Sequence, residues 1–266
     1  MKADIGIIGG SGLYSMATSL EDIEVNTEYG KPSDKLSIGK LGGRTVAFLP
    51  RHGAKHILPP HKVPYKANIA TLKSLGVSRV IATSAVGSLA PDYKPGDIVF
   101  FDQFVNATYG RDDTFFNSYP VAHVSAAEPY CPELRQLAAK AADKLKIKYH
   151  ESGTVVVING PRFSTKAESR LFSKQGIHTI NMTQYPEVIL AREQEVCYLG
   201  IGIVTDYDAG LEGRNDIEPV SMLEINRMFA ANVDKVKALI TEIVSSIPQK
   251  RYGCKCSSAM ANAMIK

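Results

Sequence analysis

No apolar run in these 266 residues reaches the roughly 18 that a membrane-spanning helix needs. The opening stretch MKADIGIIGGSG holds an apolar segment too short, and too interrupted by glycine and serine, to be the core of a signal peptide. A helical membrane span is therefore excluded, and a cytoplasmic location is expected. A basic block is missing as well: 31 Lys and Arg are interspersed with 27 Asp and Glu, for a net charge of +4. That balance gives nucleic acid nothing to follow. Internal repeats, low-complexity tracts and Pro/Gly/Ser linkers are absent, which leaves one domain over residues 1–248. A short tail, 249–266, is expected to pack on it. Cysteine is scarce, with four in all: Cys131, Cys197, Cys254 and Cys256. In a cytosolic chain the default is four free thiols. The Cys254-Lys255-Cys256 pair could instead be a tight disulfide or a metal grip. No second Cys pair or nearby His completes a zinc set, so no metal is expected.

What is present is ordinary globular composition, 44% hydrophobic and 22% charged. Short β-branched runs alternate with helical patterns. DIGIIGG, RTVAFLP, SRVIATSAVGS, GDIVFFDQFV, TVVVING, HTINMT and CYLGIGIVTD read as strands. Tyr65–Leu75, Pro132–Leu145 and Pro186–Cys197 read as helices. So does Val220–Ile247, where Ile225, Phe229, Val233, Val236, Ile240 and Val244 recur at three- and four-residue steps. The alternation predicts a single α/β domain with a largely buried, partly parallel sheet flanked by helices.

In such sheets ligands sit beyond the carboxyl ends of strands. Those ends carry GGSG, RHG, TSAVGS, NGPRFS, NMT and TDYD. Gly9-Gly10-Ser11-Gly12 can close backbone N–H groups on an anion, yet it is no dinucleotide fingerprint, because Ser15 stands where a third glycine belongs. Arg51 offers a rigid fork for phosphate and His52 adds a donor. The run His52, His56, His61 has no acid among it and is broken by prolines, which argues against metal binding. Thr83-Ser84-Ala85 and Asn181-Met182-Thr183 supply hydroxyls, completing the pieces of an anion cage. Phe163 is either a core ring or a platform for a planar ligand. Asp206 and Asp208 are the two acids at the tip of an otherwise apolar strand, a turn or a pair with chemistry to do.

The ordered motifs IGIIGGSGLY, FLPRHGAKH, PPHKVPYKANI, TSAVGSL, KPGDIVFFDQF, HVSAAEPYCP, NGPRFST, NMTQYPEVILARE and VTDYDAG resemble the trimeric or hexameric purine nucleoside phosphorylases, in their methylthioadenosine phosphorylase branch. The resemblance runs from the first strand to about Gly210, and it implies a single domain whose twisted, mixed β-sheet is partly barrel-like and flanked by helices. It implies a reversible reaction of nucleoside with inorganic phosphate, without metal or organic cofactor. It also implies a homo-oligomer, a trimer or a hexamer built as a dimer of trimers. Residue by residue, it assigns phosphate to Ser11, Arg51, His52, Ser84, the Ala85 N–H and Thr183. Met182 would lie along the ribose and Phe163 on the purine. Asp206 would protonate purine N7, and Asp208 would accept from a 6-amino group. His123 would reach into a neighbouring subunit's site.

Enzymes of this family for inosine or guanosine carry Asn at this strand end and Glu in place of Ser164, so the resemblance favours adenine. Met222 stands where those enzymes have a histidine, and an apolar residue there suits a methylthio group. Ile225 would line the same pocket. Asn226 departs from the leucine expected one position on, which opens the pocket to adenosine. The CxC tail with Cys131 and Cys197 resembles the disulfide-bearing thermophilic archaeal form, which implies Cys131–Cys197 and Cys254–Cys256 bridges. Two alternatives stay open: a 6-oxopurine or methylthioinosine phosphorylase, and a nucleoside-binding protein without turnover.

Overall fold

Residues 2–10, 13, 16–211 and 217–265 are described by the computed structural model of the chain. Eleven strands among them form one sheet. In chain order they are β1 (Ile5–Gly9), β2 (Thr18–Ile23), β3 (Leu36–Leu41), β4 (Arg44–Pro50), β5 (Arg79–Ser88), β6 (Ile98–Phe100), β7 (Gln103–Ala107), β8 (Tyr149–His150), β9 (Thr154–Ile158), β10 (Thr179–Asn181) and β11 (Cys197–Asp206). The helices are α1 (Tyr65–Ser74), α2 (Pro132–Lys144), α3 (Lys166–Lys174), α4 (Gln184–Glu193) and α5 (Met222–Ser246).

The sheet is mixed and does not close on itself. Its longest path runs β2-β3-β4-β1-β5-β10-β9-β7, and a branch leaves β5 through β11 to β6 and β8. Strand β5 is ten residues long and pairs with three others. It lies parallel to β1 over its first half, parallel to β11 along its length, and antiparallel to β10 at Gly87 and Ser88. The partly barrel-like curvature expected from the sequence is thus a fork rather than a closed ring.

Alternation along the strands sends side chains to two cores. Tyr198 and Val204 of β11 join one core with Ile69 and Leu72 of α1 and Val188 and Leu190 of α4. Leu199, Ile201 and Ile203 join the other, with Leu134 of α2 and Val236, Ile240 and Val244 of α5. Helices therefore cover both faces, which is why the strands read as continuous apolar runs.

Three sequence readings change. GDIVFFDQFV is not one strand. Asp102 breaks the run, and its carboxylate accepts a hydrogen bond from the Gly153 N–H at 3.0 Å; β6 then pairs with β11 while β7 pairs with β9. The strands β2 and β3 and the helix α3 carry no clear period, and the sequence hid them. Strand β2 has five exposed residues and one half-buried residue, so no apolar stripe marks it. Helix α3 buries only Ser169 and is announced instead by a capping box between Thr165 and Glu168.

The expected Cys131–Cys197 and Cys254–Cys256 bridges are not formed. All four cysteines are free thiols. The tail folds back over the start of β11 and the N-cap of α2. All four Sγ atoms then lie within 4.8 Å of one another, and the Cys197 and Cys254 sulfurs are 3.5 Å apart. Four thiols share one site where two separate pairs were expected, close enough together to hold a soft cation between them. The tail is fastened further by the Gly253 N–H on the Glu133 carboxylate at 3.0 Å and by the Met264–Ala122 bridge.

Helix α5 is amphipathic only in its second half. Val236, Leu239, Ile240, Ile243 and Val244 are buried, whereas Met222 is 53% and Leu223 81% exposed. Ile240→Ala should therefore cost about 2–5 kcal/mol of stability. Met222→Ala should stay within about 0.5 kcal/mol of the parent. Denaturant melts of the two variants check the contrast.

Candidate active site

Strand β4 delivers Arg51 and His52 at its carboxyl end, beside the end of β1. The Arg51 N–H donates to the Gly9 carbonyl at 3.2 Å. Arg51 is only 2% exposed. Its Nε and Nη2 donate to the two carboxylate oxygens of Glu187 at 2.7 and 2.8 Å, and Nη1 donates to the Thr83 carbonyl at 2.7 Å. Burial works against its charge, but the Glu187 carboxylate more than offsets this and holds the guanidinium above its ordinary pKa. The next residue on β5, Ser84, accepts a hydrogen bond from Asn181 Nδ2 at 3.2 Å, which leaves its own hydroxyl proton to donate among the described residues. The Thr83 hydroxyl is buried and has no partner among the described residues. Thr183 is also buried, and its hydroxyl does not cap the helix that it opens. Ser11 lies outside the described residues.

His52 differs from expectation. Its Nδ1 is 2.8 Å from the Leu58 carbonyl, which can only accept, so Nδ1 carries the proton. Burial, and then the Arg51 charge, push its pKa down to about 4. The ring is neutral at pH 7, and its remaining nitrogen is an acceptor, not the donor that the sequence suggested.

The second corner is built at the end of β11. Burial raises the Asp206 pKa to about 6, against the pull of two donors on its carboxylate. Those donors are the Thr205 hydroxyl, 2.7 Å from Oδ2, and the Asp208 N–H, 2.7 Å from Oδ1. Asp208 sits at φ +50°, a left-handed conformation that Asp tolerates better than most residues. The Ser164 hydroxyl donates to Oδ2 of the Asp208 carboxylate. Gly87 makes room for the pair: a Cβ there would come within 2.9 Å of Asp206 Oδ1 and 3.1 Å of Asp208 Cβ.

Two loops join the corners. Gly160, at φ +64°, lies against Met182, where a Cβ would meet the sulfur at 2.6 Å. Arg111 is the clamp that the sequence did not reveal. It donates to the carbonyls of Asn159 and Met182, both at 2.9 Å, and to that of Tyr185. The result is one continuous arc: His52, Arg51, Thr83, Ser84, Asn181, Met182, Gly160 with Phe163 and Ser164, then Asp208 and Asp206. Ala85 follows Ser84 on β5. His123 is apart from this arc, on the surface, with its N–H on the Ala263 carbonyl at 2.8 Å. Met222 and Ile225 open the half of α5 that leaves the core. Glu187 went unread too, although a lone acid among the apolar residues of PEVILA is itself a signal: a buried carboxylate demands a cation.

Chemically, the arc offers an oxyanion corner with a fixed cation and hydroxyl donors. The end of β11 adds a carboxyl pair, in which burial lets Asp206 keep its proton up to about pH 6. Among the described residues, no metal ligand set occurs in the arc.

The sequence profile of the phosphorylase superfamily matches residues 4–245. The S-methyl-5′-thioadenosine phosphorylase of Thermofilum pendens is 52% identical over 266 residues, covering 99% of each chain. A methylthioadenosine phosphorylase crystal structure sourced from an antarctic soil metagenomic library superposes with a TM-score of 0.93 at 40% identity, covering 99% of this chain and 93% of that one. A point mutant of adenosine/methylthioadenosine phosphorylase from Schistosoma mansoni, in complex with methylthioadenosine, gives a TM-score of 0.90 at 36% identity over 98% of this chain and 96% of that one.

The raised Asp206 pKa has a thermodynamic consequence. The folded protein binds this proton more tightly than the ordinary carboxyl of pKa 3.8 does. Its contribution to stability is therefore complete at about pH 4 and below, and is lost as the pH rises through about 6. Asp206→Asn cannot ionise. It should gain on the parent by up to about 3 kcal/mol between about pH 4 and pH 7, as denaturant melts across that range will show.

Proposed function

This chain belongs to the phosphorylase superfamily, and on that basis we propose that it splits S-methyl-5′-thioadenosine with inorganic phosphate into adenine and 5-methylthioribose 1-phosphate. The observation that carries the proposal is the pairing of the two corners: a buried Arg51 fork on one side of the arc and a proton-holding carboxyl pair on the other. Phosphorolysis needs both. A phosphate oxygen forms a bond to C1′ of the sugar while the bond from C1′ to purine N9 breaks. The electron pair of that bond goes to the purine, and the base leaves as charge builds on it.

Arg51, the Ser84 hydroxyl, the Ala85 N–H, the Thr183 hydroxyl and Ser11 hold the phosphate. His52, neutral with its acceptor nitrogen free, takes a hydrogen bond from a protonated phosphate oxygen. Asp206 delivers its proton to N7 as general acid, a contribution of about 10²–10⁴-fold. Asp208, oriented by Ser164, accepts from the 6-amino group. A 6-oxo group would face it lone pair to lone pair, and a mispaired buried polar group of this kind costs about 10⁴-fold in discrimination. Phe163 packs on the purine and Met182 on the ribose. No metal or organic cofactor is needed; phosphate is a co-substrate.

Met222 and Ile225 line the 5′ pocket. The exposure of the first turns of α5, with polar Asn226 among them, suits a second substrate, adenosine. A homo-oligomer, a trimer or a dimer of trimers, belongs to the same reading. The segment before His123 leaves Tyr109 76% and Tyr119 80% exposed, as a surface awaiting a second copy does. From that segment His123 reaches a neighbour's site. The cytoplasm suits a chain whose four thiols are free.

Adenine release from methylthioadenosine should depend on phosphate and outpace hypoxanthine release from inosine, which parallel assays on the two nucleosides would measure. Faster inosine turnover would overturn the assignment of Asp208. Asp206→Ala should lower kcat by about 10²–10⁴-fold and leave nucleoside binding nearly intact. Asp208→Asn exchanges an acceptor for a donor and should narrow the preference for adenine nucleosides over inosine by at least about tenfold.

A further inference from the structure

We propose that Glu187 is a positioning residue for the oxyanion: it aims the Arg51 guanidinium at phosphate. The proposal rests on the phosphorylase reading of the arc. Glu187 sits in α4, one turn beyond Thr183, and is fully buried. Its carboxylate accepts three hydrogen bonds: from Arg51 Nε at 2.7 Å, from Arg51 Nη2 at 2.8 Å and from the Tyr198 hydroxyl at 2.6 Å. Tyr198 belongs to β11, the strand that ends in Asp206.

Counting donors shows what this accomplishes. A guanidinium has five N–H groups in one plane. Glu187 takes two and the Thr83 carbonyl takes a third. Among the described residues, one N–H on each terminal nitrogen is left, and two neighbouring N–H groups of this kind are what a phosphate engages side by side. Arg has four flexible bonds between Cα and that plane. A bidentate carboxylate fixes them before phosphate arrives, so the ordering is not charged to the binding step. The same ion pair ties Arg51, at the end of β4, to the helix that carries Thr183. Two phosphate-holding residues from separate elements therefore keep one spacing.

A rival role makes the opposite prediction. A carboxylate beside a cation weakens its pull on a dianion, so a Glu187 that only tempers Arg51 would make phosphate bind more tightly when removed. A Glu187 that merely supports the fold would, on removal, lower stability and every kinetic constant together. Positioning alone raises the phosphate KM selectively.

Glu187→Gln keeps the shape and removes the charge. In steady-state assays of the full-length enzyme with phosphate and methylthioadenosine, its phosphate KM should rise by about tenfold or more, with the nucleoside KM and kcat at saturating phosphate within about threefold of the parent. The phosphate concentration that gives half of the maximal rise in Tm should move up by the same factor, a readout that needs no turnover. Tyr198→Phe leaves the ion pair and removes one donor from the carboxylate. It should shift phosphate in the same direction by about threefold. An unchanged or lower phosphate KM overturns the proposal, as does an equal fall in all constants. If Glu187→Gln does not fold, Tyr198→Phe decides by the same criterion. A parent enzyme that cleaves nothing with phosphate sinks the phosphorylase reading instead, and the Tm titration then still tests whether Glu187 aims Arg51 at an oxyanion.

Discussion

Strand β5 pairs with three strands, and the geometry of the whole arc follows from that one constraint. Because β1 and β11 run parallel to it and β10 antiparallel, the ends of separate segments converge on its second half. Ser84 on that half accepts from Asn181, and Gly87, three residues on, leaves the space that Asp206 and Asp208 occupy. A side chain at Gly87 would push the carboxyl pair away from the strand. The fork in the sheet, and not any single loop, sets the separation between the two corners.

Charge is managed in opposite ways at those corners. Arg51 is buried and matched by a bidentate carboxylate, so it stays charged at all accessible pH. Asp206 is buried with no cation beside it among the described residues, so burial pushes it toward its protonated form, and two hydrogen bonds restrain the shift to a pKa of about 6. A permanent cation suits an anion that must be held. A carboxyl poised near neutrality suits a proton that must move. Both states follow from the same low-dielectric setting, differing only in what stands beside each group.

Much of this was legible in advance. The apolar runs of β1, β4, β5, β9 and β11 marked themselves because both sheet faces are covered by helices, and residues that follow β4, β9 and β11 lie along the arc. The single reading of GDIVFFDQFV failed because its two halves are equally apolar, and only pairing partners tell them apart. Strands β2 and β3 escaped because β2 is an exposed edge without a stripe. The cysteine bridges implied by the family resemblance did not form; the tail brings its two thiols onto the other two, a convergence that spacing along the chain cannot express. His52 changed from donor to acceptor because the carbonyl of Leu58 claims its proton.

What the sequence alone determined was the inventory: which strands are buried, which residues stand at their ends, and that an Arg-His pair and two aspartates sit at different strand tips. Hydrophobic period and turn chemistry are local, and local patterns survive without the fold. What only the tertiary structure decided was partnership: Glu187 with Arg51, Asp208 with Ser164, Arg111 with three carbonyls, four thiols together. Those pairs join residues up to 136 positions apart, as Arg51 and Glu187 are. Protonation state and orientation depend on such neighbours, so the chemistry of the arc became readable only once the strands had met.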